Sequence, residues 1–135
     1  MDPAIRTALD HGQVIDLTTT GRHTGQPRRV EIVYHNVDGR IVISGMPSRR
    51  TRAWLHNVNA DPRVTIHFKG PQLTGDVAGT AHEITDPVDR RHLLEQVARN
   101  WRRTDLDVML EYSPLIEVEV PGYRSEPGSP STASG

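Results

Sequence analysis

The 135-residue chain contains no cysteine. Disulfides, thiolate metal sites and cysteine nucleophiles are therefore excluded. Aromatic residues make up only 4%, so a core has to be built from Val, Ile, Leu and Ala. So few aromatics also leave little with which to stack nucleobases. Lysine is almost missing: of sixteen basic residues only Lys69 is not an arginine. No apolar run approaches the roughly 20 residues of a spanning helix. The opening MDPAIRTALDHG lacks the apolar stretch of a signal peptide. The chain reads as cytoplasmic, with at most peripheral membrane contact through an arginine-bearing helix.

What is present is an uneven spread of charge. The net charge is −1, which gives no general attraction for nucleic acid. Residues 18–69, however, hold nine Arg/Lys against three Asp/Glu, and the remainder holds seven against fourteen. The positive charge lies in two loops, GRHTGQPRR (21–29) and MPSRRTR (46–52). Arginine presents a planar fork to phosphate or carboxylate.

Periodicity supplies the elements. Asp2-Pro3 reads as cap and first position of a short helix ended near Gly12. VIDLTTT (14–20) is a β-branched strand. Residues 28–36 alternate, with Val30, Ile32 and Tyr34 on one face and Glu31, Val33 and His35 on the other. Asp38-Gly39 is a hairpin turn and RIVIS (40–44) the returning strand. Residues 53–58 form a helical turn or two. Strands follow at 63–69 and 73–84, and a helix capped by Asp86-Pro87 runs to about Arg103. Leu106–Leu110 adds a further turn, and LIEVEV (115–120) is the last strand. His35 and His67 fall on outward faces and read as surface residues.

The sum is a mainly β (α+β) fold. It has about six antiparallel strands in a closed or split β-barrel, with one long helix before the last strand. A β-sandwich is the alternative. Residues 1–121 form one domain, and 122–135, rich in Pro, Ser and Gly, form a disordered tail. Chain reversal puts both basic loops at the barrel end opposite Asp38-Gly39, which suits an anion funnel. Two glycines in the first loop let its backbone N–H groups gather around an anion. The histidines show no metal-ligand spacing, and nothing resembles a GxSxG nucleophile turn.

LTTTGRHTGQPRR, followed by a strand pair and AWLHNVNADPRVTI, resembles the deazaflavin (coenzyme F420)-dependent nitroreductase family of actinobacteria. The resemblance is strong over residues 14–69. It implies a split β-barrel that holds the reduced deazaflavin in a groove. By that likeness Arg22, His23 and Thr24 sit at the polyglutamyl-phosphate end, and Arg28 and Arg29 pair with the phosphate. Ser44 and Gly45 pass under the ring, and Ala53, Trp54 and Asn57 hold its other edge. Where the family often has Ser-Lys-Gly-Gly, this chain has Ser44-Gly45-Met46-Pro47, and Arg49 or Arg50 is the substitute cation.

The implied chemistry is hydride transfer from reduced coenzyme F420 to a small electron acceptor such as a quinone, nitro compound or enone. A cofactor that does the hard step explains why no catalytic triad is visible. Tyr34, Tyr112 and Trp101 are candidate donors to the reduced acceptor. Two other readings stand beside this one. One is a split-barrel reductase using FMN. The other is a non-catalytic module binding deazaflavin or a lipid anion. Nucleic-acid binding is disfavoured by the acidic remainder of the chain, and the protein is expected to be a monomer or homodimer.

Overall fold

The computed structural model describes residues 1–71 and 73–123. Along the chain run α1 (Pro3–Leu9), β1 (Gln13–Thr20), β2 (Pro27–Val37), β3 (Arg40–Ser44) and α2 (Ala53–Ala60). They are followed by β4 (Arg63–Lys69), β5 (Thr74–Glu83), α3 (Pro87–Trp101), α4 (Leu106–Tyr112) and β6 (Leu115–Glu119). The six strands close into an antiparallel barrel in the order β1-β2-β3-β6-β5-β4. The barrel shuts where Leu17 of β1 pairs with Ile66 of β4.

Alternation decides what faces inward. Ile15, Leu17 and Thr19 of β1 are buried, while the residues between them are half covered. The barrel interior is filled by Ile15, Leu17, Ile41, Ile43, Ile66 and Ile116 around Tyr34, with Trp54 and Leu55 of α2 packed against them. β3 does not alternate, since Ile41 to Ser44 are all buried. The reason is a second core outside the barrel, where Val37 and Val42 meet Leu93, Leu94 and Val97 of α3 and Met109 of α4. A strand covered on both faces reads as a continuous apolar run.

The helix starts follow their caps. The Asp2 carboxylate accepts the Ala4 N–H at 2.7 Å, and Asp86 accepts that of Asp89 at 2.9 Å, each with proline in the first turn. α2 instead starts at Arg52 with no side-chain cap. α3 ends where Arg102 turns left-handed, φ 56°. It is clipped to the sheet by Arg40, which donates to Asp89 (2.6 Å) and Glu117 (2.7 Å). No helix among the described residues is long and apolar enough to cross a membrane.

Three expectations change. His35, expected at the surface, is 4% exposed, because α3 covers the outer face of β2. Its ring meets Trp101 edge-on at 5.3 Å, and its Nδ1 accepts from the Asn100 side chain at 2.9 Å. His67 is half-buried, bonded to Thr18 and Asp76 at 2.7 Å each. Tyr123, assigned to the tail, is docked: its hydroxyl donates to Asp10 (2.7 Å) and accepts from Asn36 (2.9 Å), and Arg6 lies over its ring. The rest of the expected tail, from residue 124, lies outside the described residues.

Candidate cofactor cleft

The pairings Thr20↔Pro27 and Ser44↔Leu115 place the β1–β2 loop and the loop after β3 at one end of the barrel. The β2–β3 turn, next to the Val37↔Arg40 pair, is at the other end. α2 crosses the loop end of the barrel. Its buried Asn57 donates from Nδ2 to the Thr19 hydroxyl (3.0 Å) and accepts the Arg22 N–H on Oδ1 (3.1 Å). The expectation put Asn57 at the edge of the ring. The structure commits both halves of its amide to β1 and the first loop.

That loop is closed on itself. The Gly21 N–H donates to the Gln26 carbonyl, and the Gly25 N–H to the Gly21 carbonyl, both at 2.8 Å. Gly25 sits at φ 70°, which L-residues rarely adopt. The Thr24 hydroxyl accepts the Gln26 N–H at 3.1 Å.

Between loop and helix lies a cleft of about 450 Å³. Arg22, His23, Thr24, Arg28, Arg29, Ala53, Trp54 and Asn57 all line it. Thr19 and Val30, not singled out in the sequence, line it too. Thr19 did carry a signal, as a hydroxyl in the inward register of Ile15 and Leu17. Ser44 and Gly45 are not in this wall. The Ser44 hydroxyl is buried and donates to the Pro114 carbonyl at 2.7 Å, joining β3 to the start of β6. A Cβ on Gly45 would lie 3.1 Å from Pro114 and 3.5 Å from Arg52.

The cleft's cations are not equivalent. Arg29 donates to Asp16 at 2.9 Å, and this bond, followed by that from Lys69, pulls the Asp16 carboxyl below its ordinary range. Arg22 Nε donates to His23 Nε2 at 3.0 Å. The Arg28 side chain has no ion pair or hydrogen bond among the described residues. The positive charge available to a ligand is therefore concentrated at Arg28 and Arg22.

The candidate donors do not converge here. Tyr34 is fully buried in the barrel, where its hydroxyl donates to the Ala8 carbonyl (2.5 Å) and accepts from Gln13 (3.2 Å). Burial pushes its phenol to about 12. Trp101 packs on His35 beside the second core. Tyr112 lies in a separate cavity, under the Arg49 guanidinium at 5.3 Å from the ring centre. Among the described residues no group of acidic and histidine side chains could hold a metal.

A closed six-stranded antiparallel barrel carrying α3 and α4 between its last two strands, with this cleft at one end, is a split β-barrel fold. The profile of the F420H(2)-dependent quinone reductase family matches residues 2–120, and the chain belongs to that family. It is an F420H2-dependent oxidoreductase with coenzyme F420 as cofactor, which sets the FMN reading aside. Solved structures share the fold. A conserved hypothetical protein, Rv2991 from Mycobacterium tuberculosis, is 18% identical, matching 100% of this chain and 92% of its own at a TM-score of 0.70. An F420-H2 dependent reductase (FDR-A) is 21% identical over 78% of this chain and 93% of its own, TM-score 0.56. A further F420 reductase is 15% identical over 87% and 94%, TM-score 0.63.

Proposed function

We propose that the arginine cleft holds coenzyme F420 and that the acceptor reduced is a quinone, a nitro compound or an enone. The observation that carries this reading is Arg28, a guanidinium without a partner among the described residues, lining one cleft with Arg22, His23 and Thr24. An anionic tail fits there, since charge-assisted bonds to phosphate are stronger than neutral ones. Arg22 and Arg28 would take the phosphate and carboxylates, with Arg29 contributing less because Asp16 already holds it. Ala53 and Trp54 would form the apolar wall against the ring. When bound and reduced, the coenzyme supplies a hydride, and the acceptor takes that hydride together with one proton. The chain's own contribution is to fix the tail, orient the ring and hold the acceptor dry against it.

Titration with oxidised and reduced F420, followed by a menadione and nitroaromatic screen, tests the reading. Saturable binding and acceptor-dependent oxidation of F420H2 are expected. Binding without oxidation by any acceptor would instead favour a carrier module, and no binding would refute the cleft assignment.

A further inference from the structure

The outer face of the barrel aligns three side chains from three strands. The Thr18 hydroxyl of β1 lies 2.7 Å from His67 Nε2 of β4, and His67 Nδ1 lies 2.7 Å from Asp76 Oδ1 of β5. Strand register produces the row. Thr18 pairs with Thr65, two residues before His67 on β4, and His67 pairs directly with Asp76. Direct and diagonal cross-strand neighbours are within side-chain reach.

The direction of the two bonds follows from the groups. An ionised carboxylate only accepts, so His67 Nδ1 carries a proton and donates it to Asp76. In the neutral ring Nε2 then has a lone pair, and the Thr18 hydroxyl donates to it. This is the order of contacts that activates an alcohol as a nucleophile. The His67 side chain is only 12% exposed, so the strands hold the ring between its two partners. Asp16, opposite His67 on β1, does not compete for the imidazole, because Arg29 and Lys69 hold its carboxylate.

Thr18 also has room to act. It lines a groove of about 420 Å³ with Thr20, Pro27, Arg63, Thr65 and Ala78. Of the groove's lining residues only Thr19 also lines the cofactor cleft. The Thr20 and Thr65 hydroxyls make no hydrogen bond among the described residues, so both are available to an oxygen bound beside Thr18. Arg63 is held by Asp61. Ala78, opposite Thr65, keeps the far wall low enough for a short chain.

We propose that Thr18, His67 and Asp76 form a second active centre, independent of the coenzyme, that hydrolyses short-chain carboxylic esters. Thr18 Oγ bonds to the ester carbonyl carbon while its proton passes to His67 Nε2. The Thr65 and Thr20 hydroxyls donate to the carbonyl oxygen as it becomes negative. Collapse breaks the bond to the alcohol oxygen, and His67 gives its proton to the departing alcohol. Water, giving a proton to His67, then attacks the acyl group on Thr18. Breaking the acyl–Oγ bond releases the acid and returns the proton to Thr18. Asp76 is a positioning residue that fixes the tautomer and the angle of the ring.

The test uses p-nitrophenyl acetate and butyrate with the full-length protein, first without F420. Saturable release of p-nitrophenol is expected, with an acetyl group on Thr18 in acid-quenched, digested samples. Thr18→Val keeps the branched β-carbon of the strand and should abolish both. His67→Gln should lower kcat about 100-fold or more. Asp76→Asn should lower kcat with KM little changed, and Asp76→Glu should restore part of the rate. Saturating F420 should leave hydrolysis unchanged, so this result stands or falls apart from the redox reading. Turnover that survives in Thr18→Val overturns the proposal by assigning the reaction to a surface imidazole. Absence of saturable hydrolysis of both esters overturns it too, and inhibition by F420 overturns it by moving the ester to the cofactor cleft. Should the His67 or Asp76 variants fail to fold, Thr18→Val and the position of the acetyl group decide.

Discussion

Asn57 Oδ1 accepts the backbone N–H of Arg22 at 3.1 Å, across 35 residues of sequence. Helix α2 thereby sets the height of the first arginine of the cofactor loop. The same amide's Nδ2 donates to Thr19, so one buried side chain ties helix, strand and loop together. Asn57→Leu should lower stability by about 1–3 kcal/mol, since it leaves buried partners unsatisfied. It should also weaken F420 binding, because the loop loses its anchor. Urea unfolding and a fluorescence titration measure the two effects. Unchanged binding in a folded variant would show that the loop holds its shape without α2.

The arginines of the cleft should separate in a binding assay. The Arg28 side chain has no partner among the described residues, whereas Arg29 is shared with Asp16. Replacing both by Ala should weaken F420 by about 2–4 kcal/mol, from lost charge-assisted bonds. Arg28→Ala alone should account for most of that loss. Equal effects of the two single changes would mean that Asp16 releases Arg29 when the coenzyme binds.

Tyr34→Phe should leave turnover intact. Its hydroxyl lies inside the barrel on the Ala8 carbonyl, away from the cleft. The expected cost is about 1 kcal/mol of stability from the lost hydrogen bond. A fall in kcat without a fall in melting temperature would return Tyr34 to the chemistry.

Burial holds the His35 imidazole below its usual 6.5. A folded-state value lowered in this way means that the unfolded chain binds the proton more readily. The neutral-ring stability is then complete above 6.5 and is lost as pH falls toward the depressed folded value. Melting temperature should decline through this window, and His35→Gln should flatten that part of the profile. An identical decline in the variant would assign it to other groups.

The Tyr123 hydroxyl joins Asp10 and Asn36. Truncation before residue 123 should therefore lower the urea midpoint, and Tyr123→Phe should reproduce about 1–2 kcal/mol of the loss. A truncated protein as stable as the full chain would show that these bonds merely replace water.

Much of the fold was legible because its signals are local. The strand spans of RIVIS and RVTIHFK match the structure residue for residue. Asp86-Pro87 marked the start of α3, and Asp38-Gly39 the hairpin. The placement of both basic loops at one barrel end followed from reversal of direction at each turn, and eight predicted cofactor residues line one cleft. The role of Asn57 was not legible, because its partners belong to β1 and the first loop. Nor was the burial of His35: alternation puts it on the outer face of β2 without saying that α3 will cover that face.

The sequence by itself determined which residues alternate, where the chain turns and where its arginines gather, since each of these depends on neighbours a few positions apart. Only the tertiary structure decided which face each helix covers, that Tyr34 is sealed in the barrel, and that Arg52 and Ser113 share a cavity. Those outcomes depend on closing the sheet and folding α2, α3 and α4 back over it. Contacts between segments far apart in the chain leave no periodic trace in either segment alone.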